Sequence, residues 1–574
     1  MSNFFTQFVW YFEMCIYLCS ETHKNTHYKR LEKLKHTLLY QLRPISFVVL
    51  AWSHKSLHAQ SFYTPLSNSL LNSIEDSLHH IGSEIFTTVK PYTVGTINTR
   101  IDNYNEKLKL DGRFASETWL GRKIFNEDLI QKHTTDFDFR LNPLFHVTLG
   151  KDNQSTKGTY QNTRGIQADG RIGKNFYFYS EFLENQAYYP KYQRDWVNEN
   201  RVIPGQGQFK SFGKTNDAYD FAAVKGHIEY QPSKFFNFRY GYGQNFIGDG
   251  YRSLLLSDNA FNYPYLRITT NFWKIQYTNI FAQMQDIRFT NPNGTYPRKY
   301  VTSHVLSANI SKRLNISVFE TVVYGDSANT RGYDFHYLNP IIFYRPLEFA
   351  LGSSSGNVLM GLNMKYKLTH NAHVYGQFIL DEFYFKEITA GKGWWANKFG
   401  YQIGIKSFNT FVPNLTVQTE YNWVRPFTYS HFDVYQNYGH YNQPLAHPLG
   451  SNFKESVTWL RYRYKRVIGE LQIMYAQQGR DTANSNWGTR VYKNYNTRTQ
   501  DYNNAVGQGV STSTLFTDAK IAYLVNPKTN LRLEVGVTLR RFKTAVEKGS
   551  LQNETTKYVY FGLHSDIRKN YFDF

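Results

Sequence analysis

The chain has 574 residues, including 46 Tyr and 44 Phe, and a formal net charge of +20, yet its mean hydropathy is −0.53. A chain this aromatic and this polar excludes an ordinary soluble core, and it fits a sheet with one apolar aromatic face and one wet face, as in a membrane β-barrel. The basic residues are scattered, with short clusters only at "KLKLDGR" and "RYRYKR"; that pattern suits a solvated face, or a lumen or rim attracting acidic glycans and lipopolysaccharide phosphates, and not a nucleic-acid partner.

No run of ~18 apolar residues offers a transmembrane helix. Lys33, Lys35 and Arg43 precede a short apolar run, Ile45 to Trp52, and "LHAQ" supplies a cleavage point after Ala59 or Gln60. Residues 1–59 therefore read as a secretory signal region, with roughly the first 30 residues an upstream extension. Leu57 is large for its place before the cleavage point. The only cysteines, Cys15 and Cys19, fit neither a lipoprotein site nor a metal or disulfide framework.

Residues 60–135 differ from the rest. Leu70, Leu71, Ile74, Leu78, Ile81 and Ile85 recur at helical spacing. The spacing predicts one or two short helices, on the periplasmic side or plugging a barrel mouth.

From residue 136 to 574 the chain reads as strand after strand. In "LRLEVGVTL", Leu531, Leu533, Val535, Val537 and Leu539 share one face, and Arg532, Glu534, Gly536, Thr538 and Arg540 share the other. "NPKTN" joins this run to the preceding one as an antiparallel hairpin, and "GKN", "QPSK" and "SKRLN" do the same elsewhere. Longer polar connections, such as the one through "GRDTANSNWGTRVYKNYNTRTQDYNN", alternate with these turns. Short periplasmic turns and long outer loops are the asymmetry of an outer-membrane barrel, and about 440 residues at ~24 per strand and loop allow ~16–18 strands. The predicted fold is all-β, a transmembrane antiparallel barrel with a short N-terminal helical plug. The chain ends "RKNYFDF", so Phe572 and Phe574 are candidates for the terminal aromatic signal read by the barrel-insertion machinery.

No HExxH, P-loop or Cys/His cluster is present, and no cofactor, metal site or catalytic constellation is expected. "GYGQNFIGDG" lacks nucleotide-loop spacing and reads as bends. Asp381 and Glu382 are adjacent, so on a regular strand they point to opposite faces and do not pair.

Five stretches occur in order: "YGQNFIGDGYRSLLLSDNAFNYPYLRI", "FETVVYGD", "YLNPIIFYRPLEFALGSSSGNVLMGLNMKY", "QFILDEF" and "YNQPLAHPLGSNFKE". Together they resemble the Wzi-like capsule assembly family of outer-membrane proteins, closest to its RemB gliding-motility branch. The resemblance implies an 18-stranded barrel with a periplasmic helical element, and a lectin-like role in attaching capsular polysaccharide. Within the matched stretches, Arg252, Asp258, Asn259, Asn339, Arg345, Glu348, Asp381, Glu382, His447, Asn452 and Glu455 are polar groups inside aromatic surroundings, costly if they faced lipid. They are expected to form a luminal charge network. Sugar rings stack on aromatic faces, so Trp196, Trp394, Trp395, Tyr438 and Trp487, on long loops, are the candidate glycan contacts. The expected function is non-enzymatic binding or anchoring of surface polysaccharide. The expected partners are outer-membrane lipid and lipopolysaccharide, surface polysaccharide and the insertion machinery. The alternatives are a gliding or adhesion component with gliding or secretion proteins as partners, a porin-like channel, and a barrel enzyme with a cross-strand triad.

Overall fold

The strand Leu531–Thr544 shows what builds the wall. Leu533, Val535, Val537 and Leu539 point outward, exposed to the membrane, while Arg532, Glu534, Thr538 and Arg540 are buried inside. A strand repeats every two residues, so one face can be oily and the other charged along its whole length. In the computed structural model, which describes residues 66–93, 118–213, 216–339, 356–482, 484–546, 551–565, 568–569 and 571–574, this pattern closes on itself. The expected signal region lies outside these residues.

Among the described residues, eighteen antiparallel strands form one closed barrel. Closure is made between the first and last of them: Phe137–Asp152 pairs with Glu554–Ser565, from Tyr558 opposite Asp152 to His564 opposite His146. No described helix is long and apolar enough to cross a membrane, so the crossing elements are strands. The outward band includes Val147, Leu149, Ile166, Phe182, Ile228, Ile403, Ile521 and Phe561. A closed sheet leaves no unpaired backbone edge in hydrocarbon, which is the condition for crossing with strands.

The two ends differ. At one end the hairpins are tight, as at Trp273–Lys274 and Lys465–Arg466. At the other, long segments connect the strands, among them 189–217, 244–262, 383–397, 425–452 and 481–509. The tight end is periplasmic and the long loops are outer, the asymmetry that these barrels show.

Among the described residues, four helices of at least six residues accompany the wall: α1 (Asn68–Leu78), α2 (Trp119–Phe125), α3 (Lys191–Asn200) and α4 (Phe385–Ala390). α1 is capped by Ser67, whose hydroxyl accepts the Leu70 N–H, and it buries Leu71, Ile74 and Leu78. Among the described residues, three chain segments reach into the lumen. The first is α1 with the strand that follows it, Val89–Lys90. The second is loop 244–262, which pairs its own Phe246–Ile247 with Val89–Lys90. The third is the C-terminal tail, which leaves the last wall strand at Ser565 and turns back inside. Loop 425–452 packs over loop 244–262, and Leu254, Leu255, Leu256, Tyr429, Tyr438 and Leu445 form a dry core within the barrel.

Candidate functional site

The lumen is held by charge. Arg252, on loop 244–262, lies against Glu455 of the wall, with Nη2 2.8 Å from Oε1. The same guanidinium meets Asp573 of the tail, Nη1 to Oδ1 at 3.1 Å. All three side chains are almost wholly buried. The rings of Tyr251 and Tyr571 lie 4.8 and 5.1 Å from the cation. His447 Nε2 lies 2.8 Å from Glu455 Oε2, and Asn422 donates to the same oxygen at 3.1 Å. Glu420 accepts the backbone N–H groups of Tyr251 and Arg252 at 2.8 and 2.9 Å. Burial opposes the Arg252 charge, but Asp573 and Glu455 outweigh it and hold the guanidinium above its ordinary value. Burial keeps His447 below its ordinary value, against the pull of Glu455.

A second cluster fixes α1. Glu75 pairs with Lys406 of the wall and lies 3.5 Å from Lys90. Burial alone would raise its carboxyl, yet Lys406 and Lys90 pull it down to about 2. Nearby, Asp249 accepts from Thr87 at 2.5 Å and lies 3.3 Å from Lys365. Burial opposes its charge too, and Lys365 and Lys90 more than offset that.

The expected luminal network is thus partly assembled. Arg252, His447 and Glu455 belong to it, and Asp258 joins it through Tyr571, whose hydroxyl donates at 2.6 Å. Asn259 instead ties two loops, donating to the Pro444 carbonyl at 3.1 Å. Asn452 is a correction. It sits at a strand end in the left-handed region, φ 59°, and braces outer loops by donating to Gln508 O and accepting from Gly507 N. Asp381 and Glu382 are a second correction. The register slips between Leu380 and Glu382, so Lys398 Nζ reaches both carboxylates at 3.2 Å. Asn339 is exposed at the margin of the described chain, and Arg345 and Glu348 lie outside the described residues.

The outer loops meet in a roof built by 383–397, 425–452 and 481–509. Trp395 is its buried pin, with Arg498 4.1 Å from its ring, Tyr495 at 4.8 Å and Phe427 at 6.1 Å. Trp394 is half-buried beside the exposed Tyr502, ring centres 4.9 Å apart. Trp487 is half-buried, its backbone N–H donating to Asp481 Oδ1 at 2.7 Å. The structure corrects the expectation of exposed loop aromatics at two positions. Tyr438 is fully buried and donates to the Leu255 carbonyl at 2.8 Å, and Trp395 is buried in the roof. Both are large apolar rings flanked by facing loops, so burial wins over exposure. Trp196, on α3, is half-buried against Phe574, ring centres 5.1 Å apart. Phe572 and Phe574 lie not on a lipid-facing strand but inside, among Tyr189, Tyr192 and Trp196. The sequence reading missed Tyr502 and Arg498; the run "NTRTQDYNN" gave no periodic signal.

No protein-family model and no curated protein matches the sequence. Solved structures do. Wzi of Escherichia coli, described as an outer membrane protein involved in group 1 capsule assembly and a carbohydrate binding β-barrel, aligns with a TM-score of 0.51 at 12% identity, over 88% of this chain and 99% of that one. OprD of Pseudomonas aeruginosa aligns with a TM-score of 0.40 at 12% identity, over 77% of this chain and 97% of that one. The likeness is one of fold: an outer-membrane β-barrel.

Proposed function

We propose that the protein is a non-enzymatic outer-membrane barrel that holds surface polysaccharide on its outer roof, as a Wzi-like capsule component. The observation that carries this reading is the roof itself: three outer loops pinned on buried Trp395, bringing half-buried Trp394 beside exposed Tyr502 with Arg425 and Arg498 close by. Arg425 donates to the Trp394 carbonyl at 3.2 Å, which fixes that turn. Aromatic faces stack on sugar rings, and guanidinium groups bind sugar hydroxyls and carboxylates. A carbohydrate-binding protein of the same fold supports the choice.

The test is retardation of the detergent-purified barrel in gels containing the cell's own polysaccharide. Retardation that Trp394→Ala and Tyr502→Ala each weaken about tenfold supports the reading, one stacked aromatic contact contributing ~1.4 kcal/mol. No retardation at any salt concentration overturns it. A porin-like channel is the second reading, favoured by a cavity along the lumen; single-channel conductance of the intact protein decides it.

A further inference from the structure

The lipid-facing surface of the wall carries a groove. Near the periplasmic end, the strands Val467–Arg480 and Val510–Asn526 present two small residues outward, Gly469 and Ala519. The register sets them on a diagonal. Gly469 stands between Tyr462 and Ile521, and Ala519 stands between Leu471 and Val537. The larger neighbours rise on both flanks, so a groove of about 480 Å³ passes over the two small positions, walled by Leu460, Tyr462, Ile521 and Val537. A Cβ built on Gly469 meets nothing within 4 Å.

Two features fix its depth in the bilayer. Gly469 follows the tight Lys465–Arg466 turn by three residues, so the groove begins about 10 Å from that turn at ~3.3 Å per residue. Tyr462 and Tyr464 are exposed on this stretch, and the Lys465 ammonium lies 5.7 Å from the Tyr464 ring. Tyrosine rings beside a lysine mark the headgroup level. The second feature is α2, which hangs from the ends of the same two strands. Arg466 donates to the Phe125 carbonyl at 3.3 Å and to Asn126 Oδ1 at 3.0 Å, and Asn526 donates to the carbonyls of Lys123 and Glu127 at 3.0 Å. Held this way, α2 leaves Trp119, Leu120 and Ile124 exposed on one face. An apolar helix face with a tryptophan at a barrel rim belongs in the interfacial layer.

The groove is continuous with the membrane-facing band, so hydrocarbon adjoins it. Lipid chains are as oily as its walls, and the gain from occupancy is packing: an empty furrow forfeits contacts that an extended chain restores. The volume lies within the ~300–1,000 Å³ of small-molecule sites. The periplasmic end meets the inner leaflet, where the lipid is a phospholipid, and Lys465 supplies the charge that complements its phosphate. We propose that this groove is a binding site for one inner-leaflet phospholipid, with an acyl chain along Gly469 and Ala519 and the phosphate toward Lys465. The site is independent of the polysaccharide reading.

The experiment is native mass spectrometry of the intact barrel, stripped of lipid in mild detergent and titrated with phosphatidylethanolamine or with lipopolysaccharide. One phosphatidylethanolamine is expected to bind well before further adducts accumulate, and ahead of lipopolysaccharide. Gly469→Leu fills the groove and is expected to raise the concentration for half occupancy of that first site about tenfold. Ala519→Leu fills it from the next strand with the same expected effect, and it carries the test if Gly469→Leu misfolds. Val559→Leu, elsewhere on the lipid-facing wall, is expected to leave occupancy unchanged. Heat-modifiable migration in gels reports that each variant is folded. Adducts that accumulate evenly, with no distinct first site, overturn the proposal. So does a first site that folded Gly469→Leu and Ala519→Leu bind as the unaltered protein does, and so does a preference for lipopolysaccharide.

Discussion

Arg252 and Asp573 are 321 positions apart in the chain, and their side chains meet at 3.1 Å in the middle of the barrel. That pair joins the inward loop to the C-terminal tail, while Glu455 joins both to the wall. The order of removal then matters. Arg252→Met leaves two buried carboxylates without their cation and is expected to cost about 3–5 kcal/mol, read as a lower thermal transition of the heat-modifiable band. Asp573→Asn leaves Arg252 paired with Glu455 and is expected to cost clearly less. Equal effects would mean that the tail, not the cation, holds the cluster.

The tail also occupies space that a channel would need. Its Phe574 packs on Trp196 and Tyr192, and its Lys569 lies 4.2 Å from the ring of Tyr571. Ending the chain after Ser565 removes this filling while leaving the wall pairing of Glu554–Ser565 intact. Planar-bilayer recordings are expected to show low conductance for the whole protein and larger, discrete openings for the shortened one. Unchanged conductance would assign closure to the segments that remain, α1 with Val89–Lys90 and loop 244–262.

Plug helix α1 has a pH dependence that follows from Glu75. Its carboxyl titrates at about 2 in the folded protein, against an ordinary value of 4.5. Because the folded value is depressed, the stabilisation is complete above pH 4.5 and is lost as the pH falls from there toward 2, roughly 3 kcal/mol in all. Hydrogen exchange of the 68–78 amides is expected to speed up over that window while the wall strands stay protected. In Glu75→Gln the exchange is expected to be faster at neutral pH and to lose its acid dependence.

The wall was legible in the sequence and the interior was not, for a physical reason. Leu531 to Leu539 alternate because each residue faces either lipid or lumen, and that signal needs only local spacing. "NPKTN" and "GKN" were readable because tight turns have their own composition. Tyr438 and Trp395 look in sequence like exposed loop aromatics, and their burial depends on loops that converge only in three dimensions. The pairing of Asp381 and Glu382 with one lysine depends on a register slip that alternation alone does not reveal. Arg252 and Glu455 were singled out as polar groups too costly for lipid, but the tail that completes their cluster gave no sign beyond its aromatic ending.

The roof has a built-in control for its own test. Gly391 and Gly393 both have φ +65°, a conformation that costs a side chain about 1 kcal/mol. A Cβ on Gly391 meets nothing within 4 Å, whereas one on Gly393 would come within 2.8 Å of the Asn504 backbone nitrogen. That approach is what joins loop 383–397 to loop 481–509, through Asn504 N–H donating to the Gly393 carbonyl at 2.9 Å. Gly391→Ala is therefore expected to pay only the backbone term and keep the roof. Gly393→Ala must in addition push the two loops apart and loosen the Trp394–Tyr502 pair. The expected result is faster proteolysis within 481–509 and weaker polysaccharide retardation for Gly393→Ala alone, with normal heat-modifiable migration of both variants. Faster proteolysis with full retardation would place the polysaccharide contact away from the junction of these loops.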